Sequence, residues 1–330
     1  MSFDGATILV TGGTGSFGKK FTPLVLEKFD VKRLVIFSRD EMKQWDMAEQ
    51  YKDCKNVEFV IGDVRDRESI QSAVKGVDYV VHAAATKIVP TAEYNPFECV
   101  KTNIHGAMNV INACIDQNVK KVVALSTDKA SNPINLYGAT KLASDKLFIA
   151  ANTNNTDGPS FSVVRYGNVM GSRGSVIPFF LNKGKTGSLP ITDPTMTRFM
   201  ITLEQGVELV WKAFSDMQGG EIYVKKIPSM TLDAIAKAVA PDASHEIVGI
   251  RPGEKRHEQM IGVEDARFTY EYDDYYKILP MINDWYKDPV RIGDGRMVDP
   301  DFSYVSNTNS SWMTADELQA WVSDNFDITY

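Results

Sequence analysis

A chain of 330 residues, 43% of them hydrophobic, can build one large domain or two modest ones that share a cleft. Its formal net charge of −7 speaks against a general binder of nucleic acid or membrane surfaces, though local arginines can still hold an anionic small molecule. The three cysteines, Cys54, Cys99 and Cys114, lack metal-ligand spacing, the segment MSFDGATILV does not read as a signal peptide, and no apolar run approaches the roughly 20 residues of a membrane span, so a soluble cytoplasmic protein with reduced thiols is expected.

Short β-branched runs at residues 6–10, 34–37, 57–61, 77–81 and 122–125 predict buried strands. The stretches between them are long enough for crossover helices, which implies an α/β fold with a parallel sheet covered on both faces. A helix over 138–152 and a strand at 161–164 follow. Beyond them, helical spacing over 203–216 and 232–240, short strands at 221–224 and 246–250, and a Thr314/Glu317 capping box are expected. There is no internal repeat and no Pro/Gly-rich linker, so the two halves should pack tightly.

The first strand runs into Thr11-Gly-Gly-Thr-Gly-Ser-Phe-Gly18. Glycines three apart between a strand and a helix form a dinucleotide cradle. Gly12 permits the turn, Gly15 lets a pyrophosphate approach and Gly18 lets the helix pack close, with Thr14, Ser16 and Phe17 between them. A plain tight turn is one alternative. A P-loop is another, since 13–19 reads G-x-x-x-x-G-K, but Lys20 stands where magnesium needs a Ser or Thr. At the tip of the second strand, Ser38 and Arg39, with Lys43 a turn later, suit the 2′-phosphate of NADP over NAD, although Asp40 keeps NAD open and a merely solvated charged loop is the plainer reading. Asp63 and Val64 end the third strand, where an Asp can meet the adenine amino group. The expectation is a Rossmann-type doubly wound parallel sheet over 1–165, carrying the catalytic residues, and a smaller α/β substrate-binding region over 166–330.

Thr127, Asp128 and Lys129 close the fifth strand, and Tyr137 and Lys141 follow four apart on one helix face. An ammonium near a phenol lowers its pKa, and a phenolate can accept a hydroxyl proton. Lys129 can be a base only if its own pKa falls, by burial or neighbouring cations. The plainer readings are a surface Tyr–Lys pair and an Asp–Lys pair that caps a loop.

TGGTGSFG, the Thr127–Tyr137–Lys141 set and Arg251-Pro-Gly-Glu254 resemble the extended short-chain dehydrogenases that act on nucleotide sugars. SRDE (38–41), GDVRD (62–66), HAAATKIVPTAEYNP (82–96), STDKASNPINLYGATK (126–141), VVRYGNVMGSRGSV (163–176), TRFMIT (197–202) and GIRPGEKRHE (249–258) resemble, more narrowly, the inverting UDP-N-acetylglucosamine 4,6-dehydratases, which open the pathway to pseudaminic acid. The likeness covers roughly residues 5–262 and more loosely 301–312.

The resemblance implies a bound, recycled NADP held also by Ala83, Ala84, Ala85, Tyr137 and Lys141. It implies oxidation at the sugar's fourth carbon through Tyr137, with Thr127 on the 4-oxygen. Lys129 would take the neighbouring proton and Asp128 would protonate the departing 6-hydroxyl. Retaining enzymes carry Asp-Glu where this chain has Asp128-Lys129. Lys87, Asn168, Arg173, Arg198, Arg251 and Glu254 are the substrate-binding candidates, with arginine forks suited to phosphate oxygens. His82, His105, His245 and His257 are scattered, so no metal is expected, and His82 reads as structural. The acidic-aromatic run 270–276 reads as a surface hairpin or subunit contact, and a homo-oligomer is expected. A nucleotide-sugar epimerase or ketoreductase, and a non-enzymatic dinucleotide-binding regulator, are the alternatives.

Overall fold

A computed structural model describes residues 2–153 and 158–326. Six parallel strands in the order β3-β2-β1-β4-β5-β6 form the body of its main sheet: β1 Thr7–Thr11, β2 Arg33–Ser38, β3 Val57–Ile61, β4 Tyr79–His82, β5 Lys121–Thr127 and β6 Ser160–Tyr166. Chain direction along the sheet reverses between β1 and β4, which opens a crevice at the carboxyl ends of the strands. All five residues of β1 are buried, as a strand covered by helices on both faces requires.

The sheet does not stop at β6. Ile222–Lys225 adds a further parallel strand, and Tyr275–Ile278, Thr269–Glu271 and Arg296–Met297 extend it antiparallel. This corrects the expectation for 270–276. The run does form a hairpin, but Tyr270, Tyr275 and Tyr276 are buried and the hairpin belongs to the central sheet. Two of its acidic residues face cations: Glu271 meets Lys226 and Arg296, and Asp274 meets Lys225.

The helix Leu136–Ala150 starts two residues before its expected limit because Asn135 caps it, its side chain accepting from Gly138 N–H at 2.7 Å. Capping boxes fix the starts of Leu203–Asp216 at Thr202 and of Ala315–Asn325 at Thr314. A second apolar cluster, built on Phe180, Leu189, Ile235, Val239, Leu318 and Val322, packs under the helices Val176–Gly184, Leu232–Val239 and Ala315–Asn325. Two small sheets carry the segments that face the crevice: Ser229–Thr231 with Thr197–Ile201 and Asn168–Val169, and Gln259–Ile261 with Tyr304–Val305.

Candidate active site

The glycine turn is built for close approach. Gly12 has φ of 65°, and a Cβ there would stand 2.8 Å from Ala84 Cα; a Cβ on Gly18 would strike the Gly13 carbonyl. Gly15 is the N-cap of the helix Ser16–Lys28, which has neither a side-chain cap nor an acidic residue in its first turn. Its first N–H groups are therefore free for an anion. Thr14 Oγ1 donates to Ser38 Oγ at 3.1 Å, tying the cradle to β2, and Thr11 Oγ1 accepts from Ala83 and Ala84 N–H, each at 3.2 Å. Ala85 lies exposed beyond them. The Phe17 ring stacks on Phe21 in the core, so only its backbone is left for a ligand. Lys20 is paired with Glu204. These features fit a pyrophosphate-bearing dinucleotide.

At the end of β2, Asp40 caps the next helix and pairs with Lys43. That hydrogen bond, with the added charge of Arg173, holds the Asp40 carboxyl below the usual carboxylate range. Arg39 is exposed, with Nη1 3.8 Å from Asp63. Burial pushes the Asp63 carboxyl up, but hydrogen bonds from Arg65 and the charges of Arg65 and Arg39 leave it below the usual range. Val64 is buried against Gly106. Arg173, a substrate-binding candidate, lies beside the glycine turn. Its N–H donates to Ser16 Oγ at 3.2 Å and its charge reaches Asp40, so it belongs to the rim of the cradle.

At the carboxyl end of β5, Thr127 Oγ1 donates to Asp128 Oδ1 at 2.9 Å, and Lys129 Nζ donates to the same oxygen at 3.0 Å. Gly138 lets the helix Leu136–Ala150 press against this turn, where a Cβ would collide with the Lys129 carbonyl. That contact brings Tyr137 over the turn. Tyr137 and Lys141 are both buried. Two electrostatic expectations are corrected. Burial outweighs the Lys129 charge and the Thr127 hydroxyl and pushes Tyr137 up to about 12. Burial pulls Lys129 down, but the carboxylates of Asp128 and Glu258 more than offset it, so Lys129 is held as an ammonium above the usual lysine range. Burial also lowers Lys141.

Sequence reasoning missed Glu258. It is 2% exposed, with Oε1 3.3 Å from Lys129 Nζ and 3.7 Å from Arg198 Nε, while Oε2 is buried without a hydrogen-bond partner. The signal was present at the end of the GIRPGEKRHE block, but nothing local distinguishes a glutamate that finds its lysine across the fold. Arg198 turns toward this cluster and donates to the carbonyls of Thr197 at 2.8 Å and Arg256 at 3.2 Å. Asn168 Oδ1 and Asp128 Oδ2 are likewise buried and unpartnered. Arg251 and Glu254 pair with each other, and the Gly253 carbonyl accepts from Asn135 at 2.7 Å, which brings this turn to the start of the helix Leu136–Ala150. Lys87 is exposed after β4. Among the described residues, no His/Cys/Asp/Glu group could hold a metal ion, and no helix is long and apolar enough to cross a membrane. His82 Nδ1 lies 2.8 Å from Thr11 Oγ1 inside the core.

The buried acid and phenol and the partly exposed ammonium beside a dinucleotide cradle can exchange protons with a hydroxyl-bearing ligand while hydride is moved. Comparison with known proteins agrees with that chemistry. The family described as polysaccharide biosynthesis protein matches residues 8–280. A protein of Campylobacter jejuni subsp. jejuni (serotype O:23/36, strain 81-176), named UDP-N-acetylglucosamine 4,6-dehydratase (inverting), is 54% identical over 327 residues, covering 96% of this chain and 97% of that one. A UDP-glucose 4-epimerase of Rickettsia conorii is 46% identical over 285 residues, 82% of each chain. The X-ray structure of Pen from Bacillus thuringiensis superposes with a TM-score of 0.90 at 36% identity, covering 98% of this chain and 99% of that one.

Proposed function

Because the chain belongs to the polysaccharide biosynthesis protein family, we propose that it removes water from UDP-N-acetylglucosamine, giving a UDP-4-keto-6-deoxy-N-acetylhexosamine inverted at the fifth ring carbon. The observation that carries this reading is the Lys129–Asp128 contact of 3.0 Å beside Tyr137, in which the carboxylate is buried and the ammonium partly exposed. When bound, NADP would accept the hydride that leaves carbon 4 and return it to carbon 6, so no redox equivalent is consumed. Gly12, Thr14, Gly15, Ser16, Phe17, Gly18, Ala83, Ala84 and Ala85 would hold its phosphates and neighbouring groups, with Asp63 and Val64 at the adenine. Ser38, Arg39, Lys43 and Arg173 would hold the 2′-phosphate, which is our reason for NADP over NAD.

In this reading Tyr137, as the phenolate formed once its own proton has passed to solvent, takes the 4-hydroxyl proton while Thr127 holds the 4-oxygen and Lys141 would hold the nicotinamide ribose. The ketone at carbon 4 acidifies the proton on carbon 5. Transfer of one proton from Lys129 to Asp128 creates an amine base and a carboxylic acid together, with no exchange with solvent. Lys129 removes the carbon-5 proton, and Asp128 gives its proton to the 6-oxygen, which leaves as water. A proton from solvent then adds to carbon 5 on the face opposite Lys129. Lys87, Asn168, Arg198, Arg251 and Glu254 would line the sugar and nucleotide. Residues 1–165 would thus hold dinucleotide and chemistry, and 166–330 mainly the sugar nucleotide. The strongly exposed Tyr94 and Phe97 support a homo-oligomer, which we place in the cytoplasm.

The test is proton NMR of the purified protein with UDP-N-acetylglucosamine in deuterated water, without added dinucleotide. A new methyl signal, with deuterium at carbon 5 and the ring coupling of the inverted sugar, is expected. Unchanged substrate, also after adding NADP, would overturn the reading. The 46% identity to the Rickettsia epimerase favours 4-epimerisation as a second reading. That reaction needs Tyr137 and the dinucleotide but leaves Asp128 and Lys129 idle, and it gives a 4-epimer without any methyl signal.

A further inference from the structure

Glu258 sits where the proposed dehydration does not yet use it. Its backbone is fixed from the C-terminal side: Glu258 N–H donates to Ser306 Oγ at 2.8 Å, and Ser306 N–H donates to the Glu258 carbonyl at 2.8 Å. Ser306 Oγ also lies 2.6 Å from Thr197 Oγ1, so the strand that carries Arg198 joins the same clamp. The carboxylate so fixed reaches Lys129 from the far end of the chain, while Asp128 reaches it from the adjacent residue. A carboxylate buried with one oxygen unpartnered is costly unless its position is needed.

We infer that Glu258 is a positioning residue: gripped by Ser306, its carboxylate holds the Lys129 amino group against Asp128, in line to take the carbon-5 proton of the sugar. This rests on the dehydratase reading. The charged and titratable groups that face Lys129 are Asp128, Glu258, Arg198, Tyr137 and Lys255, and Lys255 donates to the Ser131 carbonyl at 2.6 Å just beyond the Asp128–Lys129 turn. Asp128 and Glu258 favour the ammonium and Arg198 opposes it. Removing the Glu258 charge therefore makes the neutral amine accessible at lower pH, but leaves it less well aimed.

The experiment compares the full-length wild type, Glu258→Gln, Glu258→Asp and Ser306→Ala with UDP-N-acetylglucosamine in deuterated water across pH. Glu258→Gln is expected to lower kcat about 100-fold through misplacement of the base while KM stays near wild type. The high-pH limb of the kcat profile, on which the Lys129–Asp128 pair loses its one proton, should move to lower pH. Glu258→Asp should restore the wild-type pH limb and part of kcat. Ser306→Ala, which keeps both charges, should lower kcat in the same direction but by less, and it serves if Glu258→Gln does not fold. Isotope-edited NMR of the Lys129 ε-carbon gives its titration independently of turnover and should move down in Glu258→Gln. A wild type that makes no methyl product overturns the dehydratase reading itself. A productive wild type with unchanged kcat, pH limb and Lys129 titration in Glu258→Gln overturns only the role of Glu258.

Discussion

Arg165 on β6 points its Nη2 at Asp145 Oδ2 on the catalytic helix, 3.3 Å away, and donates through Nη1 to the Met260 carbonyl at 2.8 Å. One buried guanidinium thus binds the helix of Tyr137 and Lys141 to the segment that carries Glu258. Ser126 Oγ adds a bond to the same Asp145 oxygen at 2.8 Å. Losing one member of such a pair strands the other charge, whereas replacing both with apolar groups of similar volume removes the desolvation cost as well. Arg165→Met should therefore destabilise the fold by about 3–5 kcal/mol in urea titration, and the double variant Arg165→Met/Asp145→Leu should recover much of that loss. A double variant as unstable as the single one would show that the pair is not acting as a unit.

Lys129→Ala should abolish methyl formation and deuterium entry at carbon 5 while the purified protein still carries its dinucleotide. The cradle residues from Gly12 to Gly18 make no hydrogen bond to Lys129. Absorbance of the released dinucleotide and product NMR on one sample check both halves. Normal turnover would remove Lys129 as the base.

The dinucleotide preference should reside at the tip of β2 and at Arg173. A charge-assisted bond to phosphate contributes roughly 1.5–3 kcal/mol, so Arg39→Asp should favour NAD over NADP by tenfold or more. Arg173→Ala should weaken NADP binding without touching NAD. Calorimetric titration with each dinucleotide on protein stripped of ligand decides this, and equal losses for both would place Arg173 at the pyrophosphate instead.

His82 should make the fold sensitive to acid. Burial, aided by the Lys141 charge, pushes its pKa down to about 3, whereas the unfolded chain titrates near 6.5. Between those values the unfolded state binds the extra proton, so stability is full above pH 6.5 and falls as pH drops toward 3, by about 1.4 kcal/mol per pH unit. In His82→Gln that share of the slope between pH 6 and 4 should vanish from urea midpoints. An unchanged slope would mean that other groups govern acid unfolding.

The parts of the molecule that could be read in advance are those whose signal is local. β-branched runs between turns mark β1, β2, β4, β5 and β6 because burial on both faces leaves no polar alternation to confuse them, whereas β3, expected to be buried, is the half-exposed edge strand and is marked by its β-branched residues alone. The glycine turn is legible because Gly12 alone tolerates both the positive φ and the contact with Ala84. Tyr137 and Lys141 are legible because helical spacing places them on one face. The rest depends on partners far along the chain. Nothing near Glu258 announces that it will meet Lys129, and nothing near Arg173 announces that its backbone will meet Ser16. The protonation of Lys129 was misjudged for the same reason: burial alone lowers a lysine, and only the fold supplies the two carboxylates that reverse it. The run at 270–276 looked like surface because three acids are interspersed among its four tyrosines, yet Glu271 and Asp274 are paired with lysines while the rings of Tyr270, Tyr275 and Tyr276 are buried.

The closure of Lys255 onto Ser131 spans 124 residues, and that of Asn135 onto Gly253 spans 118. Closures of that length carry a large entropic cost before any contact rewards it, and they come late when a chain folds. The glycine turn and its strands are assembled from nearer neighbours, Ala83 closing onto Thr11 over 72 residues, and Arg173 joins their rim from further off, over 157 residues from Ser16. After dilution from denaturant, dinucleotide binding should therefore return in an earlier kinetic phase than turnover, and the interval between the two phases times the arrival of the C-terminal half at a cofactor site that is already formed.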